Sequence, residues 1–190
     1  MLWPAPERFA DGAGGHSIGY AGDVILPLHV KPHDAKKPTS LHVKLSYAIC
    51  GNLCIPSEAD LSLDLSGTIG AEELALAAAE ARVPHHVPLG SGAGLAISSV
   101  HREHDGARDR VVVDVAAPEG TPIELLVEGP TADWALPLPE PAPVTANVPA
   151  MRRFIFDLDG LPPGAQAAGA ALTFTAVSPR DAIEVEAHLD

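Results

Sequence analysis

Residues 41–65 read Leu41-His-Val-Lys-Leu-Ser-Tyr-Ala-Ile-Cys50-Gly-Asn-Leu-Cys54-Ile-Pro-Ser-Glu-Ala-Asp-Leu-Ser-Leu-Asp-Leu65. Before the cysteines, Leu41, Val43, Leu45, Tyr47 and Ile49 alternate with His42, Lys44, Ser46 and Ala48. After them, Leu61, Leu63 and Leu65 alternate with Ser62 and Asp64. A period of two belongs to a strand with one face buried. The stretch therefore predicts a strand, a cysteine loop and a return strand. Cys50 and Cys54 are the only two cysteines in 190 residues, so this loop concentrates whatever thiol chemistry the chain has.

Three roles compete for the pair. A structural disulfide closing a loop of about five residues contributes roughly 2 kcal/mol, against about 4.7 for a 100-residue loop, so this is a poor place for a staple. A metal clamp is the second role, because two thiolates suit Cu(I). It would need histidine help, and His29, His33, His85, His86, His101 and His104 are the candidates. A structural zinc site would have to borrow two of them. The third role is redox exchange, which needs an accessible sulfur and a resolving thiol close by. For that role Gly51 and Asn52 let the loop bend, Glu58 is a candidate proton donor or acceptor, and Tyr47 a candidate cover for the pair.

Working outward, Val24, Leu26, Leu28 and Val30 alternate with Ile25, Pro27 and His29, which predicts a further strand with an edge or bulge at Pro27. A polar turn follows at 31–38. Residues 70–82, GAEELALAAAEAR, change to helical character, with Glu72 and Glu73 in the first turn and Arg82 in the last. Leu74, Ala77, Ala78 and Ala81 would share a face, and Pro84 stops the run. From about residue 93, turn signals such as Asp105-Gly106, Gly129-Pro130 and Pro162-Pro-Gly164 separate six runs. These are 94–101, 109–116, 122–128, 151–158, 171–178 and 182–189, and they predict an antiparallel sandwich. The proline-rich 137–149 reads as an extended surface crossing. Trp134 reads as core or edge packing, and Asp157 and Asp159 as solvated carboxylates at a turn.

Composition limits the function classes. Twelve Lys and Arg against 25 Asp and Glu give a net charge of −13, which opposes binding to nucleic acid or to an anionic lipid surface. No run of about 18 apolar residues is present, so membrane insertion of these residues is not expected. The start, MLWPAPERF, has neither the basic nor the apolar part of a secretory leader. The first unit supplies only three clear strands, too few to close a sandwich core, so an N-terminal portion is expected to be missing.

The run Gly19-Tyr-Ala-Gly-Asp-Val-Ile-Leu-Pro-Leu-His29, followed by the quoted hairpin, resembles the N-terminal periplasmic domain of the DsbD and ScsB-like family. The resemblance spans about residues 3–67 and rests on the strand, the cysteine loop, Cys54-x-Pro56 and the nearby Glu58. It implies an immunoglobulin-like fold and a periplasmic location. Cys50 and Cys54 would be the exchange pair, Cys54 facing the partner and Cys50 resolving, with Tyr47, Pro56 and Glu58 in support. Electrons would arrive from a transmembrane donor protein or domain and leave to oxidised periplasmic thiol–disulfide proteins, with no bound cofactor. Three features depart from the best-known members. The gap between the cysteines is shorter, and Asp11-Gly-Ala-Gly-Gly15 offers no aromatic cap, leaving Phe9 or Tyr20 as candidates. No transmembrane segment follows. Together these readings predict an all-β protein of two immunoglobulin-like β-sandwich units joined by a short α-helix. The expected domains are 1–68, a helical linker at 69–84, and 85–190. The rival reading is a copper-binding or copper-tolerance protein using the same thiols with histidines; a third is an inert interaction module.

Overall fold

The computed structural model describes residues 1–10, 15–34, 37–51, 53–65, 70, 72–106, 108–144 and 150–190. It divides into two compact units, Met1–Ala81 and Arg82–Asp190. Among the described residues no helix is long and apolar enough to cross a membrane.

The first unit holds β1 (Glu7–Ala10), β2 (His16–Gly19), β3 (Thr39–Cys50), β4 (Cys54–Leu65) and α1 (Glu73–Glu80). β1 pairs with β2 and β3 with β4, giving two two-stranded antiparallel sheets. The return strand begins at Cys54 itself, earlier than the apolar alternation of Leu61, Leu63 and Leu65 alone suggests. Pro56 is tolerated inside it because a strand with one neighbour has an outer edge, where a missing N–H leaves no ladder bond unmade.

The run 24–30 forms no ladder. With Pro27 in its middle it cannot donate there, and the buried Pro27 instead accepts a hydrogen bond at its carbonyl from the Leu2 N–H at 2.7 Å. The helix is real but shorter than 70–82, and its buried residue is Ala79. Leu74 points to solvent, so the buried face is rotated from the one the spacing of Leu74, Ala77, Ala78 and Ala81 suggests. Its last turn is tied back by His29 Nε2, 2.8 Å from Glu80 Oε1. In the turn at 31–38, Lys37 N–H donates to the Asp34 carbonyl; residues 35 and 36 lie outside the described set.

The second unit is a sandwich of two four-stranded sheets. Its strands are β5 (His85–His86), β6 (Ala96–Asp105), β7 (Arg108–Ala116), β8 (Glu124–Glu128), β9 (Glu140–Ala142), β10 (Met151–Asp157), β11 (Ala171–Val177) and β12 (Ala182–His188). The sheet orders are β6-β7-β10-β9 and β5-β12-β11-β8. All neighbours are antiparallel except β5 and β12. Alternation puts Val111, Val113 and Val115 of β7 and Phe154 and Phe156 of β10 into the core, against Leu172, Phe174 and Ala176 of β11 and Ile183 and Val185 of β12. Phe156 and Phe174 meet across the sandwich with ring centroids 6.4 Å apart. A register shift between Ile97 and Ser99 lets Ile97 and then Val100 both oppose core valines, as a bulge does by adding one residue to one strand. Four short strands are absent from the sequence reading, β1 and β2 of the first unit and β5 and β9 of this one. One of them, β9, lies in the proline-rich stretch and pairs with β10 as an edge; residues 145–149 lie outside the described set.

Trp134 packs against the core, and Gly129 makes room for it: a Cβ at Gly129 would collide with the Trp134 side chain. On the outer face of the first sheet, Arg153 Nε and Nη2 each donate to Asp114 at 2.8 Å, and Ser99 adds a bond at 3.2 Å. The Arg153 hydrogen bonds hold the Asp114 carboxyl below its ordinary pKa despite partial burial. Asp157, at the end of β10, faces Arg108 at 3.4 Å.

Two predictions follow from this packing. Gly129→Ala overpacks the Trp134 contact and should cost about 1–3 kcal/mol in a denaturant melt followed by tryptophan fluorescence. Arg153→Met should cost about 2 kcal/mol at neutral pH. Because Asp114 has a lowered folded pKa, that stability is present above its unfolded value, about 3.9, and is lost as pH falls through the folded value. The gap between the variant and the wild type should therefore narrow in melts taken below about pH 4.

Candidate functional site

The β3–β4 ladder runs without a register shift through twelve cross-strand pairs, from Thr39 opposite Leu65 to Cys50 opposite Cys54. Directly opposed residues of an antiparallel pair share a face, so the ladder sorts every side chain. One face carries Leu41 and Leu63, Val43 and Leu61, Leu45 and Ala59, Tyr47 and Ser57, Ile49 and Ile55. The other carries Ser40 and Asp64, His42 and Ser62, Lys44 and Asp60, Ser46 and Glu58, Ala48 and Pro56, and finally the cysteines. The polar face is bonded across: His42 Nδ1 lies 2.9 Å from Ser62 Oγ, Lys44 Nζ 3.8 Å from Asp60, and Ser40 donates to Asp64.

At the end of this ribbon Cys50 and Cys54 form a disulfide, with Cα atoms 4.0 Å apart. Gly51 N–H donates to the Leu53 carbonyl at 3.2 Å; Asn52 lies outside the described residues. Both cysteines are exposed. A disulfide between opposed residues at a strand end needs no unfolding to be reached by a thiolate. That distinguishes it from a buried staple.

The ladder places the other candidates. Pro56, with Ala48 opposite it, is the first pair behind the sulfurs on their own face. Glu58 is on that face too, but four residues beyond Cys54, which is roughly 13 Å of strand. It is too far to exchange a proton with either sulfur directly. Tyr47 lies on the opposite, apolar face and does not cover the pair. Phe9 sits in the β1–β2 sheet with its ring against Gly19, and the Tyr20 hydroxyl donates to the Pro4 carbonyl at 2.8 Å. The contacts described for these two rings are with their own segment and not with the disulfide. Of the cap-loop region, residues 11–14 lie outside the described set.

The metal reading fares differently. His42 is the histidine of the hairpin, on the sulfur face but eight residues from Cys50, about 26 Å along the strand. His29 lies against Glu80, His86 against Glu184, His101 against Glu103 and His104 against Asp109. Among the described residues no group of three or more His, Cys, Asp or Glu side chains comes together.

A feature missed in the sequence is legible there in retrospect. From Leu45 to Ser57 no residue carries a charge or an imidazole. Leu53, Ile49 and Ile55 are 74%, 62% and 59% exposed around the disulfide.

Comparison with known proteins bears on the first unit and on the fold. Residues 1–66 match the family model described as thiol:disulfide interchange protein DsbD, N-terminal. The crystal structure of the N-terminal periplasmic domain of ScsB from Proteus mirabilis is similar in fold, with a TM-score of 0.70 and 23% identity over 99% of this chain and 71% of that one. No curated protein matches the chain. The first unit is thus similar in sequence to a thiol–disulfide interchange domain, and Cys50 and Cys54 lie within the matched residues.

Reduction of the disulfide should leave the fold in place. The other eleven pairs of the ladder remain, and the loop it closes contributes about 2 kcal/mol. Dithiothreitol should reduce the native protein at a rate unchanged by urea below the unfolding transition, with a loss of no more than about 2 kcal/mol in a subsequent melt.

Proposed function

We propose that the protein is a periplasmic thiol–disulfide exchange protein that carries reducing equivalents through Cys50 and Cys54. The observation that carries this reading is a solvent-exposed disulfide at the tip of a hairpin, inside the residues matched to the interchange family. A membrane-embedded electron donor and oxidised periplasmic thiol proteins are the partners the family likeness supports.

In the accepting half-reaction, a donor thiolate attacks Cys54 Sγ and the Cys50–Cys54 bond breaks. Its electron pair leaves on Cys50 Sγ, which takes up a proton. The donor's second thiol loses its proton and attacks its own sulfur in the mixed disulfide, releasing Cys54 as a thiolate. The donor is oxidised to a disulfide, and two electrons now reside on the Cys50–Cys54 pair. In the delivering half-reaction, the Cys54 thiolate attacks the acceptor's disulfide, and Cys50 resolves the mixed disulfide by attacking Cys54 Sγ. The acceptor leaves as a dithiol and the starting disulfide is restored. Both steps need an attacking thiolate, an exposed sulfur and a second thiol within bonding reach. The exposed, directly opposed pair supports the last two requirements.

The test is an equilibrium titration of the pair against glutathione and dithiothreitol, read by thiol trapping and intact mass. A reversible couple between about −200 and −270 mV is expected, as for exchange proteins, whereas a couple below about −300 mV that resists glutathione overturns the reading. In parallel, Cys50→Ser should accumulate a mixed disulfide at Cys54 with a small oxidised partner. Preferential trapping by Cys54→Ser would reverse the assigned roles, and equal trapping would remove the distinction between them.

A further inference from the structure

We infer that the hairpin tip is a docking surface for a partner whose reactive cysteine lies in an uncharged, apolar setting. This rests on the exchange reading for the identity of the reacting group, but the surface itself is argued from composition and exposure. In a chain of net charge −13, the 13 residues from Leu45 to Ser57 carry no charge. Leu53 caps the end, Ile49 and Ile55 flank it on the apolar face, and the exposed Ala48 and Pro56 flank it beside the sulfurs. Hydrocarbon is therefore exposed beside the disulfide on both faces of the ribbon. Contiguous exposed apolar surface of this kind marks an interaction site.

Charge complementarity decides the partner's chemistry. Lys44, the first charged residue back along β3, lies opposite Asp60 and pairs with it at 3.8 Å, and Glu58 is the first back along β4. These lie roughly 13–20 Å of strand from the sulfurs, beyond the screening length of about 8 Å at physiological salt. A charged rim around a partner's cysteine would find no counter-charge at the tip and would lose its own hydration. Size decides the kind of encounter. Two strands about 4.8 Å apart, contacted over five or six residues, present roughly 400 Å², about half of what each side of a stable complex buries. That area suits a transient redox encounter and is too small for a lasting pairing of two copies through their tips.

The probes are two synthetic peptides of equal net charge with one cysteine each, flanked by leucines in one and serines in the other. Serine-for-cysteine versions of both report docking without chemistry. With the oxidised full chain, the leucine-flanked cysteine peptide should form the mixed disulfide at least about fivefold faster than the serine-flanked one. That preference should hold from low to high salt. Its unreactive version should shift the methyl resonances of Ile49, Leu53 and Ile55, and the serine-flanked version should not. Leu53→Ser with Ile55→Ser should abolish both effects. Leu74→Ser, at a helix leucine that is 85% exposed, should keep them.

Equal rates and unshifted methyls would overturn the docking surface while leaving exchange standing. Methyl shifts without any mixed disulfide would overturn the exchange reading and leave docking standing. Concentration-dependent methyl shifts with no peptide present would assign the tip to a second copy and overturn the proposal.

Discussion

Side chains alternate strictly along a strand, so a ladder of twelve pairs without a bulge leaves no freedom in where each residue of β3 and β4 points. The placement of the disulfide follows from that constraint. Cys50 and Cys54 are opposite because their neighbours are opposite, back through Ile49 and Ile55 to Thr39 and Leu65. A slip of one residue would move the leucines to the polar face and separate the sulfurs. The cross-strand contacts of His42 with Ser62 and Lys44 with Asp60 are individually weak, being exposed, but they exist only in this register. The chemistry at the tip is thus held by the periodicity of the stem.

The second unit reaches its order by other means. Its core is continuous, from Ile97 and the β7 valines to Phe174 and Val185. The outer face of one sheet is organised around the bidentate Arg153–Asp114 pair. A guanidinium holding a carboxylate through two parallel bonds fixes direction as well as distance. It joins neighbouring strands β7 and β10 on the side away from the core. Farther along the same sheet, Arg110 bonds Glu103 and lowers its pKa, and His104 and then Arg102 do the same for Asp109. These pairs are exposed enough that water screens most of their energy.

What could be read from the sequence divides along physical lines. The β3–β4 hairpin and the six runs of the second unit were legible because their apolar positions recur every second residue and their ends carry Gly or Pro. The run 24–30 had the same period but not the same fate, since Pro27 withholds the N–H a ladder needs and alternation alone does not report a missing donor. β9 was hidden because Glu140, Pro141 and Ala142 have no period, and the strand exists only by pairing with β10. In the candidate site, the cysteine pair was visible from its spacing. The placing of Tyr47 on the far face and of Glu58 at a distance was not. The first depends on β3 running unbroken to Cys50, the second on the return strand starting at Cys54 itself.

The disulfide spans the mouth of the loop and not its interior. The strands are registered below it and the connecting residues lie beyond it. Residues can therefore be added between Cys50 and Cys54 without displacing any pair of the ladder. Loop length is in this way set apart from the register of the stem.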